Sequence, residues 1–233
     1  MMEKELVVII NGAGTNGMEL KALQKELEKN KNYFVYYPGY FPGVFVGDHF
    51  PKSTTKDFIK FIDETMDLMR NFKKIHLIGY SLGASTCMIL AAKYKDIANL
   101  VLIAPIVKNP NYSKFLRGLS YSLAYDKSLT RVQKIFYSEF VRRFIKVPKY
   151  HVWHLQRYLI HTRKYLRKVK NRTLIVETIK DEIVKRSSID FLEKVINNGL
   201  VERYPVDSSH FLLFDRSVRN QVVEKVARFI EEV

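Results

Sequence analysis

With 233 residues the chain is long enough for one sizeable core, and 39 Lys and Arg against 24 Asp and Glu give it a formal charge of +15. A single cysteine, Cys87, excludes an internal disulfide framework, and no run approaches the ~18 apolar residues of a membrane span. No secretory-type leader precedes the first strand-like run, so a cytoplasmic protein is expected.

Leu6 to Ile10 is an apolar, β-branched run of strand type, closed by Asn11-Gly12-Ala13-Gly14 as a turn. Leu20, Leu23 and Leu27 recur at helical spacing and predict a helix over about residues 16–27. Phe34 to Tyr37 reads as a second strand, broken by Pro38-Gly39 and Pro42-Gly43. Ser53 and Thr54 offer N-caps for the next helix, with Asp57 near its positive end and a stripe of Phe58, Phe61, Ile62, Met66 and Met69. Ile75 to Ile78 is a third strand and Ala84 to Ala92 a helix of small apolar residues. Between them lies Gly79-Tyr80-Ser81-Leu82-Gly83, a sharp turn with a serine at its apex. So tight a turn strains the serine backbone and needs residues without side chains two positions to either side, which Gly79 and Gly83 supply. Leu100 to Ile103 is the fourth strand.

Residues 106–172 change character, holding 17 Lys and Arg against Asp126 and Glu139, while the remainder of the chain has 22 basic and 22 acidic residues. All the net charge therefore sits in this stretch. Val132, Ile135, Phe136, Phe140 and Phe144 form one helical stripe. Leu155, Tyr158, Leu159, Tyr165, Leu166 and Val169 form another, with Pro148 between the two. A basic, aromatic, helical cap over the sheet is expected at 106–172, inserted into a body made of 1–105 and 173–233. Thr173 to Glu177 is a fifth strand, Ser187 is expected to cap a helix through Val195, and Leu200 to Tyr204 is a sixth strand. Residues 207–214 form a loop, and Val218, Val222, Val226, Phe229 and Ile230 give the last helix its apolar face. The alternation predicts an α/β fold with about six mostly parallel strands flanked by helices.

In a parallel sheet the reacting groups gather beyond the carboxyl ends of the strands. Ser81 follows the third strand, Asp181 the fifth and His210 the sixth, in the order expected of a serine, an orienting acid and a histidine base on this kind of sheet. Glu177 and Glu182 are alternatives for the acid, Asp181 being preferred for its place just past the strand. His49, His76, His151, His154 and His161 compete with His210. His76 falls inside a strand and reads as a core histidine, His151, His154 and His161 as part of the polar face of the cap, and His49 as a residue of the pocket entrance.

The segments GYSLG, TLIVETIKDEIV and SSHFLLFD resemble the catalytic blocks of the α/β-hydrolase superfamily, in particular its monoacylglycerol lipase and carboxylesterase-like members with a helical cap. That resemblance spans nearly the whole chain outside 106–172. It implies Ser81 as nucleophile, His210 as general base and then acid, and Asp181 as the orienting carboxylate. It also implies an oxyanion hole from the backbone N–H groups of Leu82 and Ala13. Asn11-Gly12 stands where many relatives have His-Gly, Ala84 where a glycine is common, and the antiparallel edge strands that often precede the first strand are lacking. The implied activity is a serine ester hydrolase acting on medium or long acyl groups, with an acyl thioesterase as the alternative.

No metal or cofactor is expected, since His151-x-x-His154 has no carboxylate or cysteine near it. The basic cap suggests an anionic membrane surface or an acidic substrate as a partner, weighed against a merely solvated charge face. Nucleic acid is disfavoured as a partner, because it would leave the serine, aspartate and histidine unexplained.

Overall fold

The alternation of buried apolar strands with amphipathic helices resolves into one sheet. The computed structural model describes residues 4–14, 17–38, 42, 51–108, 147, 149–196 and 199–232. Its strands are β1 (Glu5–Ile10), β2 (Tyr33–Tyr36), β3 (Ile75–Tyr80), β4 (Ile97–Ile103), β5 (Arg172–Thr178) and β6 (Val201–Val206). They form a six-stranded sheet in the order β2-β1-β3-β4-β5-β6. Every pairing is parallel, which requires a crossover between neighbours. The helices are α1 (Lys21–Leu27), α2 (Thr55–Met69), α3 (Leu82–Lys93), α4 (Lys149–Arg163), α5 (Arg186–Ile196) and α6 (Arg216–Glu231).

Strand alternation sorts the core into two layers. Leu6, Val8 and Ile10 face one cluster with Phe58, Phe61 and Ile62 of α2, Met88 and Ile89 of α3 and Leu192 of α5. Val7 and Ile9 face the other, with Leu23 and Leu27 of α1 and Val222, Val226 and Phe229 of α6. The chain leaves β1 toward β2 on one side and β3 on the other, so a switch point opens at the carboxyl ends of β1 and β3. The Asn11-Gly12 loop and the Ser81 turn both sit there.

Thr54 is the N-cap of α2: its N–H and hydroxyl donate to Asp57 Oδ2 at 2.6 and 2.8 Å. These bonds are the first reason the Asp57 carboxyl is held below its ordinary pKa. Ser53, the other expected cap, instead bonds Pro51 O. Ser187 is not a cap either. Ser188 N–H donates to Lys185 O at 2.7 Å, so α5 begins at Arg186 and Ser187 lies within its first turn.

Within the stretch 106–172, α4 lies against α2 and α3, and its apolar residues join the main core. Tyr158, Leu159, Leu166 and Val169 are fully buried there. The Tyr158 ring stacks on Phe58 with centroids 4.4 Å apart, and its hydroxyl meets Thr86 Oγ1 at 2.7 Å. His151 and His154 do not serve an outer polar face: His151 Nδ1 lies 2.8 Å from Ser53 O, and Thr55 N–H donates to His154 Nδ1 at 3.2 Å. Both rings tie the start of α4 to the start of α2. The expected stripe from Val132 to Phe144, together with His49, Pro148 and the start of the first helix at Asn16, lies outside the described residues.

Candidate active site

β3 runs straight into α3 with one residue between them, and that residue is Ser81. Its backbone has φ 53° and ψ −112°, outside the regions an ordinary residue favours, a strain of about 1–3 kcal/mol. The surroundings hold it there: Ser81 N–H donates to Ile103 O at 2.8 Å, and Ser81 O accepts from Ala84 and Ile106. A Cβ on Gly79 would lie 2.4 Å from Ala84 Cα, and one on Gly83 would lie 2.2 Å from Ile10 O. Both contacts are with backbone, so neither position admits a side chain without a shift of the main chain.

The sheet brings the predicted residues together. His210 Nε2 is 2.9 Å from Ser81 Oγ, and His210 Nδ1 is 2.9 Å from Asp181 Oδ2. All three residues are buried. Asp181 sits in the turn after β5, where Ile183 and Val184 N–H donate to its Oδ1 at 2.8 and 2.7 Å and the Thr178 hydroxyl to its Oδ2. Burial works against the Asp181 carboxylate, but the His210 imidazole, the Thr178 hydroxyl and the Val184 N–H outweigh it and hold its pKa below the ordinary value. For His210 burial disfavours the cation, yet Asp181 first and Glu182 after it hold its pKa above the ordinary value. An imidazole so placed can take the serine proton on Nε2 while Nδ1–H stays on the carboxylate.

The competing acids are occupied elsewhere. Glu177 is buried in an ion pair with Arg203 Nε at 2.6 Å, and Glu182 Oε2 accepts the His210 main-chain N–H at 3.2 Å. His76 is a core residue, as its position in β3 suggests: it is fully buried between Glu5, 2.8 Å from Nε2, and Asn99, 3.1 Å from Nδ1. Leu82 opens α3 directly after Ser81, so its N–H has no acceptor within the helix. Ala13 lies in the loop after β1, next to Gly12, where an added Cβ would stand 3.0 Å from the Ser81 Cβ. Among the described residues no cluster of His, Cys, Asp and Glu could hold a metal ion.

Two residues hold the histidine in ways the sequence did not suggest: Tyr80, which was not singled out, and Glu182, which was considered only as an alternative acid. The Tyr80 hydroxyl donates to His210 O at 2.9 Å, and its ring stacks on the imidazole with centroids 5.6 Å apart. With Glu182 on the N–H, the His210 backbone is held at both its amide and its carbonyl. The only signal for Tyr80 was its place directly before the serine, where strand alternation sends it to the face opposite residue 79.

The family model described as the α/β hydrolase fold matches residues 6–117. A structure from work on LipS and LipT, two metagenome-derived lipolytic enzymes, is similar with a TM-score of 0.71 at 16% identity, over 99% of this chain and 95% of that one. A monoacylglycerol lipase of Paleococcus ferrophilus gives 0.67 at 16% identity over 96% and 93%. The Pyrococcus furiosus esterase Pf2001 gives 0.65 at 16% over 99% and 81%. No curated protein matches the chain in sequence. The chain has the α/β-hydrolase fold.

Proposed function

We propose that the protein is a serine hydrolase of carboxylic esters with medium or long acyl groups, working through Ser81, His210 and Asp181. The observation that carries this reading is the unbroken chain of contacts from Ser81 Oγ through both ring nitrogens of His210 to Asp181. The named activities of proteins with the same fold support an ester as the substrate. The aromatic composition of 106–172 supports an apolar acyl group. As part of this reading the cap is narrowed to the part of 106–172 that precedes α4, because α4 belongs to the core packing.

In the proposed reaction Ser81 Oγ attacks the ester carbonyl carbon as its proton passes to His210 Nε2. The carbonyl oxygen becomes an oxyanion, met by the N–H groups of Leu82 and Ala13. Its collapse breaks the bond to the leaving alcohol, which takes the proton from His210. Water, deprotonated by the same nitrogen, attacks the acyl-enzyme. The acid then departs and Ser81 regains its proton. Asp181 keeps its charge throughout and orients the ring.

The test is labelling with a fluorophosphonate, peptide mapping of the adduct, and turnover of p-nitrophenyl acyl esters beside acyl-coenzyme A. Labelling at Ser81 and ester turnover that fall together by about 10⁴-fold or more in Ser81→Ala are expected. Labelling elsewhere would overturn the reading, and preference for acyl-coenzyme A would convert it to a thioesterase.

A further inference from the structure

The residues of α4 that do not face the core form one outward row. Successive helix positions turn by about 100°, so Tyr150, Trp153, Arg157 and Ile160 fall within roughly a quarter of the circumference, and Lys164 follows in the turn that ends the helix. Tyr150 is 38% exposed, Trp153 51% and Ile160 52%, with Arg157 and Lys164 exposed beside them. Large apolar groups left in water on the same row are the feature that needs a reason.

Charge narrows the choice of what covers them. From Lys149 to Lys170 there are seven Lys and Arg and no Asp or Glu. The Arg157 guanidinium lies 4.5 Å over the Trp153 ring, placing a cation and an aromatic face on one spot. The same field is felt by His161, whose pKa is lowered first by burial and then by Lys164 and Lys93.

We infer that the outward face of α4 docks on an anionic lipid surface. Tyr and Trp are suited to the headgroup level, Arg and Lys to the phosphates, and an exposed aliphatic group to the upper acyl region. Ile160 separates this partner from single-stranded nucleic acid, which offers bases to stack on Tyr and Trp but nothing to desolvate an aliphatic side chain. The uniform sign of the charge separates it from a second copy of this chain, whose matching row would repel. The inference goes beyond the proposed ester hydrolysis and does not depend on it.

Trp153 is the sole tryptophan, so emission excited selectively at tryptophan, apart from the 14 tyrosines, reports on this face alone. The full chain carrying Ser81→Ala is titrated with phosphatidylcholine vesicles that contain phosphatidylglycerol and with vesicles of phosphatidylcholine alone, reading Trp153 emission and cosedimentation. A blue shift and cosedimentation with the anionic vesicles, both reversed by salt, are expected. The pair Arg157→Gln and Lys164→Gln should weaken partitioning roughly tenfold, and Ile160→Ser should weaken it without changing the salt dependence. Circular dichroism checks that each variant is folded. The inference is overturned by an unshifted Trp153 with anionic vesicles, by equal binding to neutral ones, or by full binding in the double variant. It is equally overturned if the shift appears on concentrating the protein alone, or with single-stranded DNA and not with vesicles.

Discussion

Two carboxylates act on His210 in different ways, and one substitution separates them. Asp181 meets the ring nitrogen, whereas Glu182 meets the main-chain N–H. The other groups facing the imidazole are the Ser81 hydroxyl and the rings of Tyr80 and Phe211. A base must be neutral to take the serine proton, and His210 has its pKa raised by Asp181 and then Glu182 against the opposing effect of burial. The proposed kcat/KM therefore climbs with pH through a midpoint above the ordinary imidazole value. Glu182→Gln keeps an acceptor for the N–H and removes a charge, so the midpoint should move down while the plateau is retained. A midpoint that stays in place would show that Glu182 does not tune the ring. Ser81, Asp181 and His210 could be singled out in the sequence because each stands within a few residues of the end of a strand. The roles of Tyr80 and Glu182 could not, because the groups they bond are main-chain atoms of His210, brought near only when distant strands align.

For α4 the periodicity was legible and the placement was not. An apolar stripe at helical spacing says that a face is buried, but not against what. The surrounding basic and aromatic composition pointed to a cap, while the packing puts Tyr158, Leu159, Leu166 and Val169 into the layer of α2 and α3. Tyr158 carries a polar group into that layer and finds Thr86 there. Tyr158→Phe keeps the stacking on Phe58 and strands the Thr86 hydroxyl in an apolar site. It should cost about 1–2 kcal/mol in urea unfolding, and Tyr158→Ala about 3–5 kcal/mol through the cavity it leaves. Fluorophosphonate labelling of the folded Tyr158→Phe protein should be unchanged. Equal stabilities for the phenylalanine variant and the parent would mean that the hydroxyl pair contributes nothing. The Thr54 cap with Asp57 shows the opposite case, a local device readable from a few residues because both partners lie within one turn.

The protein as a unit should respond to acid through its histidines before its carboxylates. Burial holds the pKa of His76, His151 and His161 below the ordinary value. For each of them the unfolded chain takes up a proton first as pH falls. Stability is thus full above the ordinary imidazole pKa and declines as pH drops through it toward the folded value. His210 is shifted the other way and contributes stability below the ordinary value that is lost as pH rises through its raised one. Below the ordinary imidazole value the His210 contribution is complete and only those of His76, His151 and His161 still change, so Tm should fall as pH drops from about 6.5 to about 5, and His76→Gln should flatten that fall. A Tm constant across this range would contradict the burial of neutral rings.

The sheet carries a further consequence through the join of β4 to β5. Asn99 pairs with Arg172 and Ile103 with Val176 across the whole of the basic stretch between them. During synthesis β4 is therefore complete long before its neighbour leaves the ribosome, and one side of its backbone stays unsatisfied in the meantime. Refolding from urea should wait on this distant pairing, with helix content returning ahead of the sheet, and a chain ended after Ile103 should precipitate where the full one stays in solution.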